Sequence, residues 1–201
     1  MPRVTTSSSR GDEPPRTPRE EILAAAAALL GEGGEAGLTI RRLALRSGYT
    51  SPAIYQEFGD KAGLLDAILQ RAVATLAGRL ERLSVSASPR EAMRAYFKEI
   101  VRFGRAHPTH YRLMEALQPD EFSPIPKAEE VRERVERPIR EISGGGDTEL
   151  LRQALWALLH GLISLPASRP DVEWREGLED VALDALLAGM LDREDPGGRR
   201  R

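Results

Sequence analysis

Residues 39–61 read TIRRLALRSGYTSPAIYQEFGDK, and this stretch decides the fold. Thr39 can cap a short helix through Arg46, and Ser51-Pro52 opens another. Ser47-Gly48-Tyr49-Thr50 separates them. A helix-turn-helix needs a small residue where the helices touch, a residue tolerant of positive φ in the turn, and apolar anchors on the second helix. Ala44 supplies the first and Gly48 the second. Ile54 and Phe58, at i and i+4, supply the third. Leu43 anchors the first helix to a core made by residues 22–30.

The second helix presents Ser51, Pro52, Ala53, Tyr55, Gln56 and Glu57 outward. Those near its start are small, so its N-terminus can go deep into a major groove. The Tyr55 phenol can reach a phosphate, and Gln56 can make a bidentate contact to adenine. Lys61 opens the next helix, where a cation and free backbone N–H groups both favour phosphate. Residues 39–61 hold four cations (Arg41, Arg42, Arg46, Lys61) and two anions (Glu57, Asp60), a local net charge of +2. The plain alternative is two packed helices with no nucleic-acid role.

Outward from this stretch the chain reads as all-α, with some nine helices in 201 residues. Strand signals are scarce. Hydrophobic residues make up 41% and aromatics only 5%, so the core must be built mainly from Leu, Ala, Ile and Val. The 29 Lys+Arg against 31 Asp+Glu leave a net charge of −2, which excludes a chain-wide polyanion-binding surface. There is no cysteine. That removes disulfide frameworks, zinc ribbons and thiol nucleophiles, and it fits a reducing cytoplasm. The longest clean apolar run, residues 22–30, is far short of the ~20 residues a membrane span needs. A cytoplasmic chain with no membrane partner is expected.

Helix boundaries follow from capping chemistry. Thr17-Pro18-Arg19-Glu20 is a capping box, and its helix meets Gly31, Gly33 and Gly34. Asp60 caps a long helix through Leu83. Ser88-Pro89-Arg90-Glu91 repeats the box and opens a helix to His107, and Pro108 starts a short one to Leu117. Residues 118–126 form a loop, and 127–142 a charged helix bent or ended near Pro138. Gly144-Gly145-Gly146 stops it. Asp147 caps a helix to Leu165, residues 166–170 turn the chain, and Asp171 caps the last helix, to about Leu191. Residues 1–16 have almost nothing apolar to bury and residues 192–201 read the same way, so a disordered arm and tail are expected. Arg3, Arg10 and Arg16 leave two readings for the arm: a plain leader, or phosphate and minor-groove contacts.

Residues 21–69, EILAAAAALLGEGGEAGLTIRRLALRSGYTSPAIYQEFGDKAGLLDAIL, resemble the N-terminal domain of TetR-family transcriptional regulators. The likeness includes the Ile-Leu-x-Ala-Ala opening, Leu38-Thr39, Arg42-Leu43-Ala44, Ser47-Gly48, Ile54-Tyr55 with Phe58, Asp60-Lys61 and Leu64-Leu65. It implies a DNA-binding domain over 17–71 and a ligand-binding and dimerisation domain over 72–191. It also implies that Thr39, Tyr55 and Lys61 contact phosphates, that Arg41, Ser51, Pro52, Ala53 and Gln56 lie nearest the bases, and that Arg42 and Thr50 belong to the same surface. Glu57 departs from the family's usual His, Tyr or neutral residue. It would face phosphate repulsion, accept from cytosine N4, or pair with a nearby Arg. Thr50 replaces a more usual Ser.

Farther on, His107-Pro108-x-x-Tyr111-Arg112-Leu113-Met114 and Trp156-x-x-x-His160-Gly161 resemble the subgroup named for a Trp-His-Gly motif. Phe97, Phe103, His107, Tyr111, Met114, Trp156 and His160 are candidates to line a cavity for a small apolar effector; ordinary core packing is the alternative for each. His160, among Leu158, Leu159 and Leu162, is expected to be a core histidine rather than a ligand contact. His107, His110 and His160 make a poor metal trio, and neither metal nor cofactor is expected. Leu151, Leu155, Leu158 and Leu162 on one helix face, with Leu178, Val181, Ala182, Ala185, Leu186 and Gly189 on the last helix, are the dimer candidates; two such helices per subunit would make a four-helix bundle about a two-fold axis. No nucleophile elbow, phosphate loop, His-Glu-x-x-His or dinucleotide fingerprint occurs, so no enzyme is expected. The expectation is a homodimeric repressor on a palindromic double-stranded operator, released by a small molecule. An activator of the same fold and a protein-binding helical adaptor are the alternatives.

Overall fold

The computed structural model describes residues 17–83, 88–116, 125, 127–144 and 146–192. Among them it has nine α-helices and no strand: α1 (Pro18–Gly37), α2 (Ile40–Ser47), α3 (Ser51–Phe58), α4 (Lys61–Glu81), α5 (Pro89–Ala106), α6 (Pro108–Ala116), α7 (Ala128–Ser143), α8 (Thr148–Ser168) and α9 (Leu178–Asp192). The fold class is all-α, as expected. The arm over 1–16, most of the tail over 192–201 and most of the loop over 118–126 lie outside the described residues.

Side-chain caps open most of the helices. The Thr17 hydroxyl accepts from the Glu20 backbone N–H at 3.3 Å, and the Glu20 carboxylate accepts from the Thr17 N–H at 2.8 Å. Thr39, Thr50, Asp60 and Asp147 each accept from a backbone N–H three residues on. Each cap stabilises its helix by about 1 kcal/mol. Ser88 stands at the same position of α5 without such a side-chain bond, so the second capping box does not form.

Several boundaries differ from the sequence expectation. α1 passes Gly31 and runs to Gly37, broken at Gly33 and Gly34, the latter at φ 60°. Its last turn is held by the Arg42 guanidinium, which donates to the Gly37 carbonyl at 2.8 Å. α7 continues through Pro138 because Pro138 and Ile139 are buried, and their packing offsets the missing hydrogen bond. α8 likewise continues through Pro166 to Ser168. Pro166 cannot donate to the Leu162 carbonyl, and the Arg105 Nε donates to that carbonyl instead, at 3.1 Å. Asp171 does not cap α9: it pairs with Arg169 at 2.8 Å, and α9 starts after Gly177 at φ 78°.

α8 also overturns the expectation that no segment could span a membrane. By length and composition its 21 residues suffice, and only 22% of its most apolar stretch is buried within the subunit.

Three apolar cores organise the helices. The first joins Ile22, Leu23, Ala26, Leu29 and Leu30 of α1 to Leu38, Leu43, Ile54, Phe58 and α4 as far as Ile68. A second joins Ala72, Leu76 and Leu80 of α4 to Tyr96 and Phe103 of α5. The third packs α5 with Ile139, Leu151, Leu155, Leu162, Leu183 and Leu187. α4 therefore belongs to two cores, and α5 joins the second to the third.

α5 and α8 approach closely at Gly104, where an added Cβ would fall 2.6 Å from the Ile163 side chain. Ile163 is buried and stiff at χ1. Gly104→Ala should therefore lower stability by about 1–3 kcal/mol. Gly78→Ala, whose new Cβ would come no nearer than 3.5 Å to Arg82, should leave stability unchanged or slightly raised. Denaturant midpoints of the two variants check this.

Candidate nucleic-acid interface and ligand cavities

The α2–α3 pair is set by its turn. Gly48 caps α2 in the left-handed region at φ 78°, and its N–H donates to the Ala44 carbonyl at 3.0 Å. Ile54 and Phe58 are buried beneath α3, and Ala44 packs half-buried against the same core. The opposite face follows: Pro52, Gln56 and Glu57 are exposed, Tyr55 is 50% exposed, and Ser51 and Ala53 are half-buried. The Thr39 and Thr50 hydroxyls accept from their own helices, which leaves each O–H free to donate outward.

Three of the four cations are held internally. Arg42 is tied to the Gly37 carbonyl. Arg46 pairs with Glu32 at 2.6 Å. Lys61 donates to the Glu35 carbonyl at 3.0 Å and pairs with its carboxylate at 3.3 Å. Arg41 is exposed and makes no ion pair among the described residues. Glu57 makes none either among the described residues. Tyr49, which the sequence reading treated only as part of the turn, donates its hydroxyl to the Glu21 carboxylate at 2.6 Å. That bond pins the turn to α1 and raises the phenol's pKa above its ordinary value, with burial and the Glu21 charge adding to it. A tyrosine directly after the turn glycine was the available signal.

The seven cavity candidates do not share one cavity. Phe103 and His107 line a space of about 400 Å³ between α1, α4, α5 and α6. Phe97 and Trp156 line a second, of about 190 Å³, between α5, α7 and α8. Tyr111 is buried in the third core, and Met114 packs against the second. His160 is exposed, its ring 6.1 Å from that of Tyr111. The core expectation for His160 fails because α8 turns Leu155 and Leu162 inward and leaves the His160 face outside. Sequence reasoning missed Arg71, Thr75 and Arg79 in the larger cavity. Their i, i+4, i+8 spacing on α4 was the available signal.

Within that cavity the Arg79 guanidinium lies 3.2 Å from Nε2 of His107. A guanidinium can only donate, so that nitrogen accepts and the neutral ring carries its proton on Nδ1. Burial holds His107 below the usual imidazole range, and the Arg79 charge adds to this. Burial lowers His110 too, followed by the charges of His107 and Arg71. No group of three or more His, Asp or Glu side chains able to hold a metal occurs among the described residues.

The dimer candidates divide as well. Leu151, Leu155 and Leu162 are buried in the subunit's own core, which removes them from any outer face. Leu158, Leu178, Ala182 and Leu186 are half-buried; Ala185 and Gly189 are exposed, and Val181 is 69% exposed. On α8 the outward apolar stripe is Leu150, Ala154, Ala157, Gly161 and Leu165.

Residues 22–68 match the family described as bacterial regulatory proteins, tetR family, and residues 90–192 match one described as tetracyclin repressor-like, C-terminal domain. The tetracycline repressor protein class C of Escherichia coli is 46% identical over 52 residues, 26% of this chain. The match spans 24% of that protein, about a quarter of its length. The solved structure of PfmR, a TetR family transcriptional regulator from Thermus thermophilus, is 25% identical with a TM-score of 0.61, covering 92% of this chain and 99% of that one. A structure of BioQ with its double-stranded DNA operator is 22% identical with a TM-score of 0.59, covering 87% of this chain and 98% of that one; it is similar in fold.

The depressed histidines carry a sign. The folded state disfavours their protonation, so no stability is lost above the unfolded value of 6.5. Stability falls as pH drops through that value, because the unfolded chain takes up protons that the folded one resists. The charged groups facing the pair are Arg71 and Arg79 of α4. Thermal melts from about pH 7.5 to about pH 5.5 should show the loss, and His110→Gln should reduce it.

Proposed function

The chain belongs to the TetR family of transcriptional regulators, and we propose that it acts as a homodimeric repressor holding a palindromic operator until a small effector releases it. The observation that carries this reading is the α3 surface. A turn glycine and two buried anchors fix the helix, while Pro52, Tyr55 and Gln56 of α3 and Arg41 of α2 are exposed. In this reading α3 enters the major groove. Thr39, Tyr55 and Lys61 hold phosphates, Arg41, Ser51, Pro52, Ala53 and Gln56 face the bases, and Arg42 and Thr50 brace the same surface. Lys61 exchanges Glu35 for a phosphate. The site of action is the cytoplasm.

A second copy is supported by the apolar faces that one subunit leaves uncovered. Leu150, Ala157 and Leu165 of α8 and Val181, Ala185 and Gly189 of α9 form them. Two α8–α9 pairs meeting about a two-fold axis make a four-helix bundle. The two α3 helices then address half-sites about 34–36 Å apart, or a multiple of that turn. An effector shifts the equilibrium only by its difference in affinity between the DNA-competent and released conformations.

Fluorescence anisotropy with duplex DNA over a salt series tests the interface. Tyr55→Phe and Lys61→Ala should weaken binding to all sequences, with Lys61→Ala lowering the salt slope by at most about one. Gln56→Ala should alter sequence preference more than non-specific binding. A protein-binding adaptor would show no salt-dependent DNA affinity at all. Sedimentation tests the dimer: Val181→Asp places a charge on an exposed face without disturbing the subunit core, and should yield monomers. A dimer that survives it puts the interface elsewhere.

A further inference from the structure

We infer that the cavity between α1, α4, α5 and α6 is a site for an amphipathic anion, a small molecule with a carboxylate head on an apolar body. Its lining contains two arginines and two histidines and no acidic residue. Arg71, Thr75 and Arg79 follow one another at single-turn intervals along α4, so the two guanidinium groups and the hydroxyl face the same space.

The cations keep donors for a ligand. Arg79 contacts Glu99 at 3.5 Å, but that carboxylate is shared with Arg102. Arg71 makes one long contact, 3.4 Å, to the Glu20 backbone carbonyl. A guanidinium has five N–H donors, so each retains several. Burial first, and then neighbouring positive charge, disfavour protonation of His107 and His110. Their ring N–H groups add donors without demanding a counter-charge. A carboxylate between Arg71 and Arg79 would relieve the positive field that the two guanidinium groups create.

The rest of the wall is apolar: Leu23, Ala24 and Ala27 of α1, Ile68 and Ala72 of α4, and Phe103 of α5. Phe103 is also stacked by the Arg79 guanidinium at 5.4 Å. About 400 Å³ lies within the size range of small-molecule sites, about 300–1,000 Å³. The effector suited to this space is therefore anionic at one end rather than wholly apolar. Because α1 and the start of α4 carry α2 and α3, while α5 and α6 belong to the body, an occupant bridges the two. That regulatory consequence rests on the effector-responsive reading above; the binding itself does not.

The test compares three ligands with one tail: decanoate, decanol and decyltrimethylammonium. Isothermal titration of the full chain, without DNA, should give decanoate at least about tenfold tighter binding than decanol, which is about 1.4 kcal/mol, and the cation the weakest. Arg71→Gln, at an exposed position whose loss spares the fold, should abolish the preference for decanoate and leave decanol unchanged. Trp156→Ala, in the smaller cavity, should change neither. The His110 ring resonances should titrate at higher pH with decanoate bound. Equal affinity for decanol, no decanoate binding, or a preference that survives Arg71→Gln but is lost in Trp156→Ala would overturn the inference. Effects on DNA affinity are read in a separate anisotropy titration, so a failure of effector response is distinguishable from a failure of the site.

Discussion

The corner between α3 and α4 is the constraint on which the rest depends. Gly59 turns the chain at φ 76°, and the Phe58 carbonyl accepts from the Asp60 N–H at 2.9 Å. Asp60 then caps α4 through the Gly63 N–H at 2.8 Å. An added Cβ at Gly63 would stand 2.1 Å from the Phe58 carbonyl oxygen, a separation no side chain can accept. The end of α3 therefore sits against the first turn of α4 only because residue 63 is glycine. Buried Phe58 fixes one end of this corner, and Leu64 fixes the other. The direction of α3 is set by backbone contact with the helix that also enters the second core, so a tilt of α4 must carry α3 with it.

How much of this was legible in the sequence depended on how local each determinant is. The caps at Thr17, Thr39, Asp60 and Asp147 and the turn at Gly48 could be read because a few neighbouring residues fix them. The inward pair Ile54 and Phe58 was legible for the same reason. Pro166 reads as a helix end because what keeps it helical is distant, a guanidinium from α5 that takes the orphaned Leu162 carbonyl; at Pro138, where the sequence leaves a bend or an end open, burial carries the helix on. Ser88 shows the converse, a capping sequence whose bond does not form.

α8 marks the limit of reading patterns along one chain. A helix apolar on nearly every side carries no sign of which side meets its own subunit. The leucines at 151, 155 and 162 look like an interface and are core, whereas Leu150, Ala157 and Leu165 lie outside. The larger cavity was missed for a related reason. Arg71 and Arg79 carry no cavity signal of their own along the chain, and only the packing of α1 and α6 beside that face of α4 makes a pocket of it.

The ion pairs made by Glu32 and Glu35 have a bearing on the affinity for any polyanion. These carboxylates follow α1's last apolar turn and occupy the basic side chains of Arg46 and Lys61. The chain thus brings its own stand-ins for phosphate, tethered at high local concentration beside the groups that would grip a duplex. Any polyanion must outcompete them, so casual adhesion to random nucleic acid is discouraged. In the proposed DNA-bound state a duplex displaces both carboxylates, a cost common to every sequence that lowers affinity throughout and leaves discrimination between sites to the α3 face.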